Sequence, residues 1–443
     1  MSLSVYVLGK EVAALDSIGD FRSAMTYAEG VDPEAFVSLT MRVRREPWLW
    51  DDVLHPIFQM NLPEGYLLQV LQEQFGPHIG ASPAALLSVI GRNMIGRIQV
   101  APPGANLDEP PKAVDVASLL QGDNSEEAFA ELVRQHAASG ISGVVPKFLD
   151  GDAERLSVGS HKKATLLTHR HIIKGSTRLL PFVSLNEHLC MEVARRVMPA
   201  ARTEVSRDGQ VLVVDRFDVD ERGLRRFGME DFCVLLGLRP AAKYETTWER
   251  IAKAVRDHVP ADRRADAFRQ MAMLLLLNYA LRNADGHAKN VALRYTRRDD
   301  VGLAPAYDVL TTSAYLDYAR NPPAIAFMGR KTWEPGRTLQ TFITASFGVP
   351  ARDQVEIVER IGDAVTDVAP QVRAAMAEHR GFVDIGRRML LAWKEGIDGL
   401  RGRQVYALPT AALGKAFVGF SDPKPVKAKR SVIGQSELLG KRR

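Results

Sequence analysis

The amino-acid sequence predicts an α+β protein with two lobes, of which the first is rich in strands and the second is mostly helical. Short apolar runs of strand composition recur up to residue 236, and helical periodicity dominates from Leu238 onward. The chain of 443 residues is too long for one ordinary domain, so two or three domains are expected.

The composition is ordinary for a soluble globular protein, with 46% hydrophobic and 25% charged residues. The two cysteines, Cys190 and Cys233, lack CxxC spacing, which favours a reducing cytoplasm over a disulfide framework or a thiolate zinc site. We expect no signal peptide and no membrane contact. The longest apolar stretch, Met271 to Leu281, is far shorter than the roughly 18 residues of a membrane span.

The net charge of +5 equals that of residues 421–443, which contain seven basic and two acidic residues. The rest of the chain is therefore nearly neutral. A tail of this kind is typical of a solvated, flexible end, although it could also contact nucleic acid or an acidic partner.

The predicted elements divide the chain into five segments. Residues 1–103 form a small mixed domain, and residues 104–128, rich in Pro, Gly, Asn and acidic residues, form a linker. Residues 129–236 form the β-rich lobe, residues 237–420 the helical lobe, and residues 421–443 the basic tail. The elements expected in the small domain are strands at 3–8, 11–15, 21–28 and 36–43 and helices at 64–75 and 83–91. After the linker they are strands at 163–168, 170–175 and 211–217 and helices at 128–137, near 185–198 and at 268–283.

The segment Asn283-Ala-Asp-Gly-His-Ala-Lys-Asn290 follows a helix that is predicted to be buried and can hold a loop rigidly. Asp285 and Asn290 are five residues apart. Phosphoryl transfer needs a carboxylate that accepts the proton of the attacking hydroxyl and an oxygen ligand for magnesium nearby, and D-x-x-x-x-N supplies both. The simpler alternative is a turn that ends the helix.

Three further side chains fit the same chemistry. Asp308, in Pro305-Ala-Tyr-Asp-Val, could hold magnesium between phosphates, or it could be a helix cap. Lys174 could pair with phosphate oxygens, or it could lie on a solvated strand edge. Glu187, on the following helix, could pair with Lys174 or lie on the surface.

The segment Gly140-Ile-Ser-Gly-Val-Val-Pro-Lys147 combines two glycines with a lysine. Glycines let backbone N–H groups approach phosphates, and Lys147 could add charge, although the segment also fits a flexible turn. The four features occur in the order glycine loop, lysine, catalytic Asp and Asn, metal Asp. That is the order that a bilobal kinase requires.

In combination these motifs resemble the HipA-like kinases of bacterial toxin–antitoxin systems, over about residues 1–410. NADGHAKN and AYDV resemble the catalytic and metal motifs of that family, and ISGVVPK resembles its glycine-rich loop. THRHIIK resembles its ATP-lysine strand, VVDRFD its adenine-binding hinge, and EDFCVLLGL followed by KYE is also family-like. The resemblance implies a bilobal protein-kinase-like fold of HipA type, with a small N-terminal α/β domain and a mostly helical C-terminal lobe.

The resemblance also implies a role for each matching position. Asp285 corresponds to the catalytic base, and Asn290 and Asp308 correspond to the ligands of Mg²⁺. The positions that correspond to ATP contacts are Ser142, Gly143, Val144, Val145, Pro146, Lys147, Lys174, Asp215, Arg216, Phe217, His287, Ala288, Lys289, Asn290, Tyr307 and Asp308. Because all charged catalytic positions are present, we expect an active kinase.

Two positions in the glycine-rich loop differ from the family pattern. Gly140 stands where well-known relatives carry an autophosphorylated serine, and Val145 replaces the usual glutamine. Ser142 matches a serine of other members and is the predicted autophosphorylation site, with Ser139 as the second candidate.

The function that the resemblance implies is that of a serine/threonine protein kinase and toxin, which phosphorylates an aminoacyl-tRNA synthetase and arrests growth. A helix-turn-helix antitoxin of HipB type is the implied partner, and DNA would be contacted only through it. The alternative is a corepressor module that binds this antitoxin on operator DNA, and a small-molecule kinase is a third reading. The intact Asp285, Asn290 and Asp308 favour catalysis.

Overall fold

The structure is a computed structural model of the chain. It describes residues 1–19, 22–62, 68, 71, 82–107, 114–139, 164–402, 405, 406 and 408. The predicted glycine-rich loop, most of the predicted helix at 64–75 and the basic tail lie outside these residues.

A five-stranded antiparallel sheet forms the N-terminal domain. In the order β4-β3-β2-β1-β5, its strands are β1 (Ser2–Val7), β2 (Lys10–Ile18), β3 (Arg22–Tyr27), β4 (Trp48–Trp50) and β5 (Ile98–Ala101). Leu8 and Gly9 connect β1 to β2 with φ angles of 51° and 79°. These left-handed angles are the ones that a tight two-residue hairpin turn requires.

The segment 36–43, predicted to be a strand, is instead turn-like and forms no named strand. The Tyr27 hydroxyl accepts the Val37 N–H at 2.8 Å and donates to the Met41 carbonyl at 2.8 Å. A buried side chain thus bonds backbone groups that a neighbouring strand would otherwise pair. The apolar pattern of the segment therefore corresponds to buried side chains and not to a strand in a hydrogen-bonded ladder.

Short helices follow in the N-terminal domain and in or next to the predicted linker. They are α1 (Pro56–Gln59), α2 (Pro83–Ile90), α3 (Val116–Gln121) and α4 (Glu126–Ser139). Ser82 begins α2 by accepting the Ala85 N–H at 3.2 Å, and Asp115 begins α3 by accepting the Ser118 N–H at 3.1 Å. The predicted linker therefore contains Asp115, which caps the helix α3.

A four-stranded antiparallel sheet carries the predicted ATP lysine. In the order β6-β7-β9-β8, its strands are β6 (Ala164–Leu167), β7 (His171–Gly175), β8 (Thr203–Val205) and β9 (Val211–Asp215). The helix α5 (Val183–Val197) connects β7 to β8, which confirms the helix predicted near 185–198. Lys174 lies opposite Thr165 of β6 and Leu212 of β9, so it occupies an inner strand and not an exposed edge.

The second lobe is mostly helical. Its helices are α6 (Phe232–Leu235), α7 (Trp248–His258), α8 (Arg264–Ala280), α9 (Arg337–Phe347), α10 (Ala351–Glu378) and α11 (Val383–Arg401). Every residue from Met271 to Ala280 of α8 is buried, and this helix packs against α9, α10 and α11. Among the helices of the described residues, none is both long and apolar enough to cross a membrane.

A small antiparallel sheet places the predicted catalytic segments. It contains β10 (Gly228–Asp231), β11 (Ala292–Tyr295) and β12 (Gly302–Leu303) in that order. Residues 283–290 lie between the buried helix α8 and the strand β11, and residues 305–309 follow β12. Because α5 also packs along α10, one apolar core extends from the four-stranded sheet into the helical lobe.

Candidate active site

Lys174 of β7 contacts one carboxylate from its own lobe and one from the helical lobe. Its Nζ atom lies 2.6 Å from Glu187 Oε1 in α5 and 2.8 Å from Asp308 Oδ1 in the loop after β12. The three side chains are 16%, 3% and 18% exposed, so water and salt screen the pairs only weakly. The fold thereby brings together three residues singled out from the sequence, two of which are 134 positions apart.

Asp308 has a left-handed backbone, with a φ of 56°. Residues other than glycine adopt this conformation rarely, and such a position is a candidate for function. Three residues later, the fully buried Thr311 bonds through both its N–H and its carbonyl to the Asn186 side chain, at 2.9 and 3.0 Å. Because Asn186 precedes Glu187, α5 holds both the partner of Lys174 and the loop of Asp308.

The backbone of Asp285 is held on both sides by its own loop. Its N–H donates to Asn283 Oδ1 at 3.1 Å, and its carbonyl accepts the His287 N–H and the Asn290 Nδ2 group, each at 2.8 Å. Its Oδ1 atom accepts the hydroxyl of Tyr244 at 2.6 Å, and the side chain is 26% exposed. The carboxylate is therefore anchored and still accessible from solvent.

Neighbouring side chains fix the beginning of the candidate catalytic loop, residues 283–290. Gly286 lies against the Asn278 side chain of α8, where an added Cβ would come within 2.8 Å of Nδ2. The Thr312 hydroxyl donates to the Arg282 carbonyl at 2.9 Å and accepts the Ala284 N–H at 2.8 Å. Position 286 therefore has no room for a larger residue, and the segment after Asp308 holds the catalytic loop in place.

Tyr307 joins the other end of the catalytic loop to the hinge. Its hydroxyl donates to the Lys289 carbonyl at 2.7 Å, and its ring lies 5.8 Å from that of Phe217. Burial raises the pKa of Tyr307 well above its usual value, so the phenol stays protonated and able to donate. The loop residues His287 and Ala288 are buried.

The hinge residues have different environments. Asp215 ends β9 with a side chain that is 53% exposed. The Arg216 side chain is buried, forms an ion pair with Asp218 at 2.5 Å and donates to the Thr168 and Met94 carbonyls, each at 2.9 Å. Because its guanidinium is used in these contacts, Arg216 can offer a nucleotide only its backbone.

Residues 142–147, six of the predicted ATP contacts, lie outside the described part of the chain, as does the predicted phosphorylation at Ser142. Residues that were not predicted to belong to the site include Tyr244, Asn186 and Thr311. Tyr244 lies in the KYE segment, 41 positions from the carboxylate that it contacts. Asn186 and Thr311 lie close in sequence to Glu187 and Asp308, but their mutual contact spans 125 positions.

The donor atoms at the predicted metal positions suit magnesium. Asp308 supplies carboxylate oxygens, and the Asn290 amide, whose nitrogen bonds to the Asp285 carbonyl, presents an oxygen at its other end. Mg²⁺ prefers such hard oxygen ligands and is usually held by one or two protein groups together with phosphates and water. The two residues therefore fit the ion.

A β-rich lobe, a lysine–glutamate pair between sheet and helix, and two loops from a helical lobe together define a protein-kinase-like fold. Comparison with known proteins narrows this class. Residues 139–369 match the HipA-like C-terminal domain, and residues 3–101 match the HipA N-terminal domain. The chain therefore belongs to the HipA family.

Curated proteins and a solved structure are also similar to the chain. The chain is 25% identical to "Putative kinase Y4dM" of Sinorhizobium fredii over 71% of this chain and 78% of that protein. It is 30% identical to "Putative kinase Y4mE" of the same species over 63% of this chain and 69% of that protein. A chain in the solved complex of Shewanella oneidensis MR-1 HipA, HipB and operator DNA matches with a TM-score of 0.65 and 19% identity. That match covers 89% of this chain and 96% of the other, and it confirms the predicted fold class.

Proposed function

We propose that the chain is an ATP-dependent serine/threonine protein kinase. The observation that carries the proposal is the contact of Lys174 with both Glu187 and Asp308, at 2.6 and 2.8 Å. Protein kinases use a lysine held by a helix glutamate, next to a metal-binding aspartate, to bind the phosphates of ATP. The relatives described as kinases support the same activity.

Asp285 is the base in this proposal. The acceptor hydroxyl oxygen forms a bond with the γ-phosphorus of ATP, the bond between that phosphorus and the bridging oxygen breaks, and ADP leaves. The proton of the hydroxyl passes to the Asp285 carboxylate. Because loop bonds already hold the Asp285 backbone, little reorganisation is needed before the transfer.

The remaining residues bind and orient the nucleotide. Lys174 contacts phosphate oxygens, and Asp308 and Asn290 would hold Mg²⁺, which neutralises phosphate charge when it is bound. The backbone of residues 215–217 and the ring of Tyr307 border the adenine. The predicted contacts at 142–147 and 287–290 complete the ATP site.

We propose further that this kinase is the toxin of a toxin–antitoxin system. Family membership supports the assignment, and the solved Shewanella relative lies in a complex with HipB and operator DNA. A helix-turn-helix antitoxin of HipB type is therefore the proposed partner. The proposed acceptor is an aminoacyl-tRNA synthetase, as the family resemblance implies, and its phosphorylation would arrest growth.

Labelling with radioactive ATP tests the enzyme directly. The purified chain is incubated with γ-labelled ATP and a bacterial lysate, in parallel with Asp285→Asn, and labelled proteins are identified by mass spectrometry. We expect serine or threonine phosphorylation of a synthetase by the wild type only. Label that is equal with both proteins, or absent with both, would count against the kinase.

A second function, corepression of the operon, is favoured by the same solved complex with operator DNA. In this role the chain binds the antitoxin and strengthens its hold on the operator. Mobility-shift assays with antitoxin alone, chain alone and both together test it. Tighter operator binding with both, but none by the chain alone, is the expected result.

A further inference from the structure

Tyr244 is held at several points beside the candidate catalytic loop. Its hydroxyl donates to Asp285 Oδ1 at 2.6 Å, and its ring meets the His287 ring edge-on, with centroids 5.0 Å apart at 81°. Its carbonyl accepts a hydrogen bond from Lys331 Nζ at 3.1 Å. The side chain keeps this geometry although Tyr244 is 39% exposed.

The main chain next to Tyr244 is also tied to the catalytic loop. The Lys243 carbonyl accepts the N–H of Ala288 at 3.1 Å, and Ala288 is fully buried. A backbone hydrogen bond therefore fixes the segment that carries Tyr244 relative to the loop that carries Asp285. The distance between the two side chains is set by the fold and not by a chance surface contact.

We propose that Tyr244 is a positioning residue for phosphoryl transfer, whose hydroxyl fixes Asp285 through Oδ1 so that Oδ2 receives the proton of the acceptor. The inference rests on the proposed kinase function and adds a residue to its machinery. An ionised carboxylate can accept about four hydrogen bonds, so the donation by Tyr244 and the approach of an acceptor are compatible.

The alternative role for such a contact is a plug, in which Tyr244 occupies the place of the acceptor and must swing away. The geometry favours positioning. A plug needs a side chain that leaves easily, whereas the ring, the hydroxyl and the backbone of Tyr244 are each held by a different partner. Removing the hydroxyl should therefore slow the transfer, because the carboxylate gains rotational freedom, and should not accelerate it.

The test compares Tyr244→Phe with the wild type, using γ-labelled ATP and three acceptors: the chain itself, dephosphorylated casein and water. Tyr406→Phe is the matched control, because it removes a tyrosine hydroxyl that donates at the same distance, 2.6 Å, to Gln354 Oε1. Melting temperature and the affinity for a fluorescent ATP analogue are measured for each variant.

We expect Tyr244→Phe to lower kcat by about tenfold, while KM for ATP, nucleotide affinity and melting temperature stay at wild-type values. Tyr406→Phe should lower the melting temperature and leave kcat unchanged. A Tyr244→Phe rate equal to or above that of the wild type overturns the positioning role. If KM and the melting temperature of Tyr244→Phe change together with kcat, the hydroxyl contributes only to packing, and this outcome also overturns the positioning role. A wild type that transfers phosphate to none of the three acceptors overturns the proposed function, and this inference with it.

Discussion

Lys174 lies between two carboxylates that would repel each other without it. The Glu187 side chain is only 3% exposed, and the ammonium group 2.6 Å away offsets part of the cost of burying a carboxylate. The same ammonium contacts Asp308, so one side chain touches both carboxylates of the proposed phosphate site. Loss of a single charge here should affect nucleotide binding more than folding of the distant core.

Replacing Lys174 by Ala and, separately, Asp308 by Asn should weaken binding of Mg-ATP. Each change removes a charged contact with phosphate or metal, and such contacts are worth about 1.5–3 kcal/mol, or roughly 10- to 100-fold in affinity. Calorimetry with Mg-ATP measures the effect. Lys253→Ala is the control, because Lys253 pairs with Asp257 on an exposed helix face. Unchanged affinity in both site variants would mean that the nucleotide binds elsewhere.

The change Asp285→Asn should abolish transfer and leave ATP binding intact. The asparagine keeps the shape of the side chain but cannot take up the proton, and general-base catalysis is worth about 10²–10⁴-fold in rate. Kinase assays and calorimetry on the same preparation separate the two effects. Asp299→Asn, at a carboxylate that is 75% exposed, should have the rate of the wild type. A fully active Asp285→Asn enzyme would contradict the assignment of the base.

Ser142, which lies outside the described residues, is the predicted site of autophosphorylation. A phosphate adds about −1.5 to −2 charges, and beside the phosphates of ATP it would repel them. We expect Ser142→Asp to lose Mg-ATP affinity and Ser142→Ala to stay active. Mass spectrometry of protein incubated with Mg-ATP locates the group. Phosphate found only outside residues 139–142 would rule out this switch.

Among the elements, α5 connects most directly to the proposed chemistry. It carries Glu187 towards the sheet and, one residue earlier, Asn186 towards the segment that follows Asp308. The Trp393 Nε1 group of α11 donates to the Thr311 hydroxyl at 2.7 Å, so a second helix holds the same segment. Both α5 and α11 are therefore hydrogen-bonded to the segment that follows Asp308.

Replacing Asn186 by Ala should uncouple α5 from the segment that follows Asp308. Two backbone groups of the buried Thr311 lose their partner, which costs roughly 2–4 kcal/mol of unfolding free energy, and Mg-ATP affinity should fall about tenfold. Denaturant unfolding and calorimetry measure both quantities. Gln354→Ala is the control, because this fully buried amide bonds within the helical lobe, to the Val349 carbonyl at 2.8 Å. The control should lose stability but keep its nucleotide affinity. Equal affinities in the two variants would refute the coupling.

At the scale of the whole molecule, a buried carboxylate joins the N-terminal domain to the helical lobe. Glu230 of β10 accepts the Ser38 hydroxyl and the Leu39 N–H, each at 2.7 Å, and the Tyr295 hydroxyl at 2.5 Å. Burial raises the pKa of Glu230 above its ordinary 4.5. Since Tyr295 ends β11, the strand that leaves the catalytic loop, this contact ties the small domain to the site.

Replacing Glu230 by Ala should destabilise the protein by roughly 2–4 kcal/mol, because three buried donors lose their acceptor. Glu230→Gln keeps an acceptor oxygen and should cost less than about 1 kcal/mol. Unfolding in denaturant compares the two variants. Equal losses would show that the charge of Glu230, and not its hydrogen bonding, holds the domains together.

The same residue predicts a pH dependence with a definite sign. Because the pKa of Glu230 is raised in the folded state, the folded protein binds a proton that the unfolded chain has released. This contribution to stability is complete below the ordinary pKa and is lost as the pH rises through the raised value. Unfolding free energies of wild type and Glu230→Gln over roughly pH 4 to 8 measure it, and the advantage of the wild type should shrink as pH rises. An advantage that grows with pH would contradict the raised pKa.

The sequence by itself determined the class of the protein. The helices α5 and α8 and the sheet strands that carry Lys174 and Asp215 follow from local periodicity, and the HipA-type fold follows from the resemblance of the short motifs to that family. These features depend on residues a few positions apart, for which backbone geometry sets the spacing. The segments of Asp285 and Asp308 could be singled out for the same reason.

Tertiary structure alone decided which of these residues meet. The contact of Lys174 with Asp308 spans 134 positions, and that of Tyr244 with Asp285 spans 41, so no local pattern contains either. Residues 36–43 have the composition of a strand but form a turn, because the hydroxyl of Tyr27 bonds their backbone groups. Contacts of this kind depend on how whole helices and strands pack against one another, whereas secondary-structure propensity depends only on neighbouring residues.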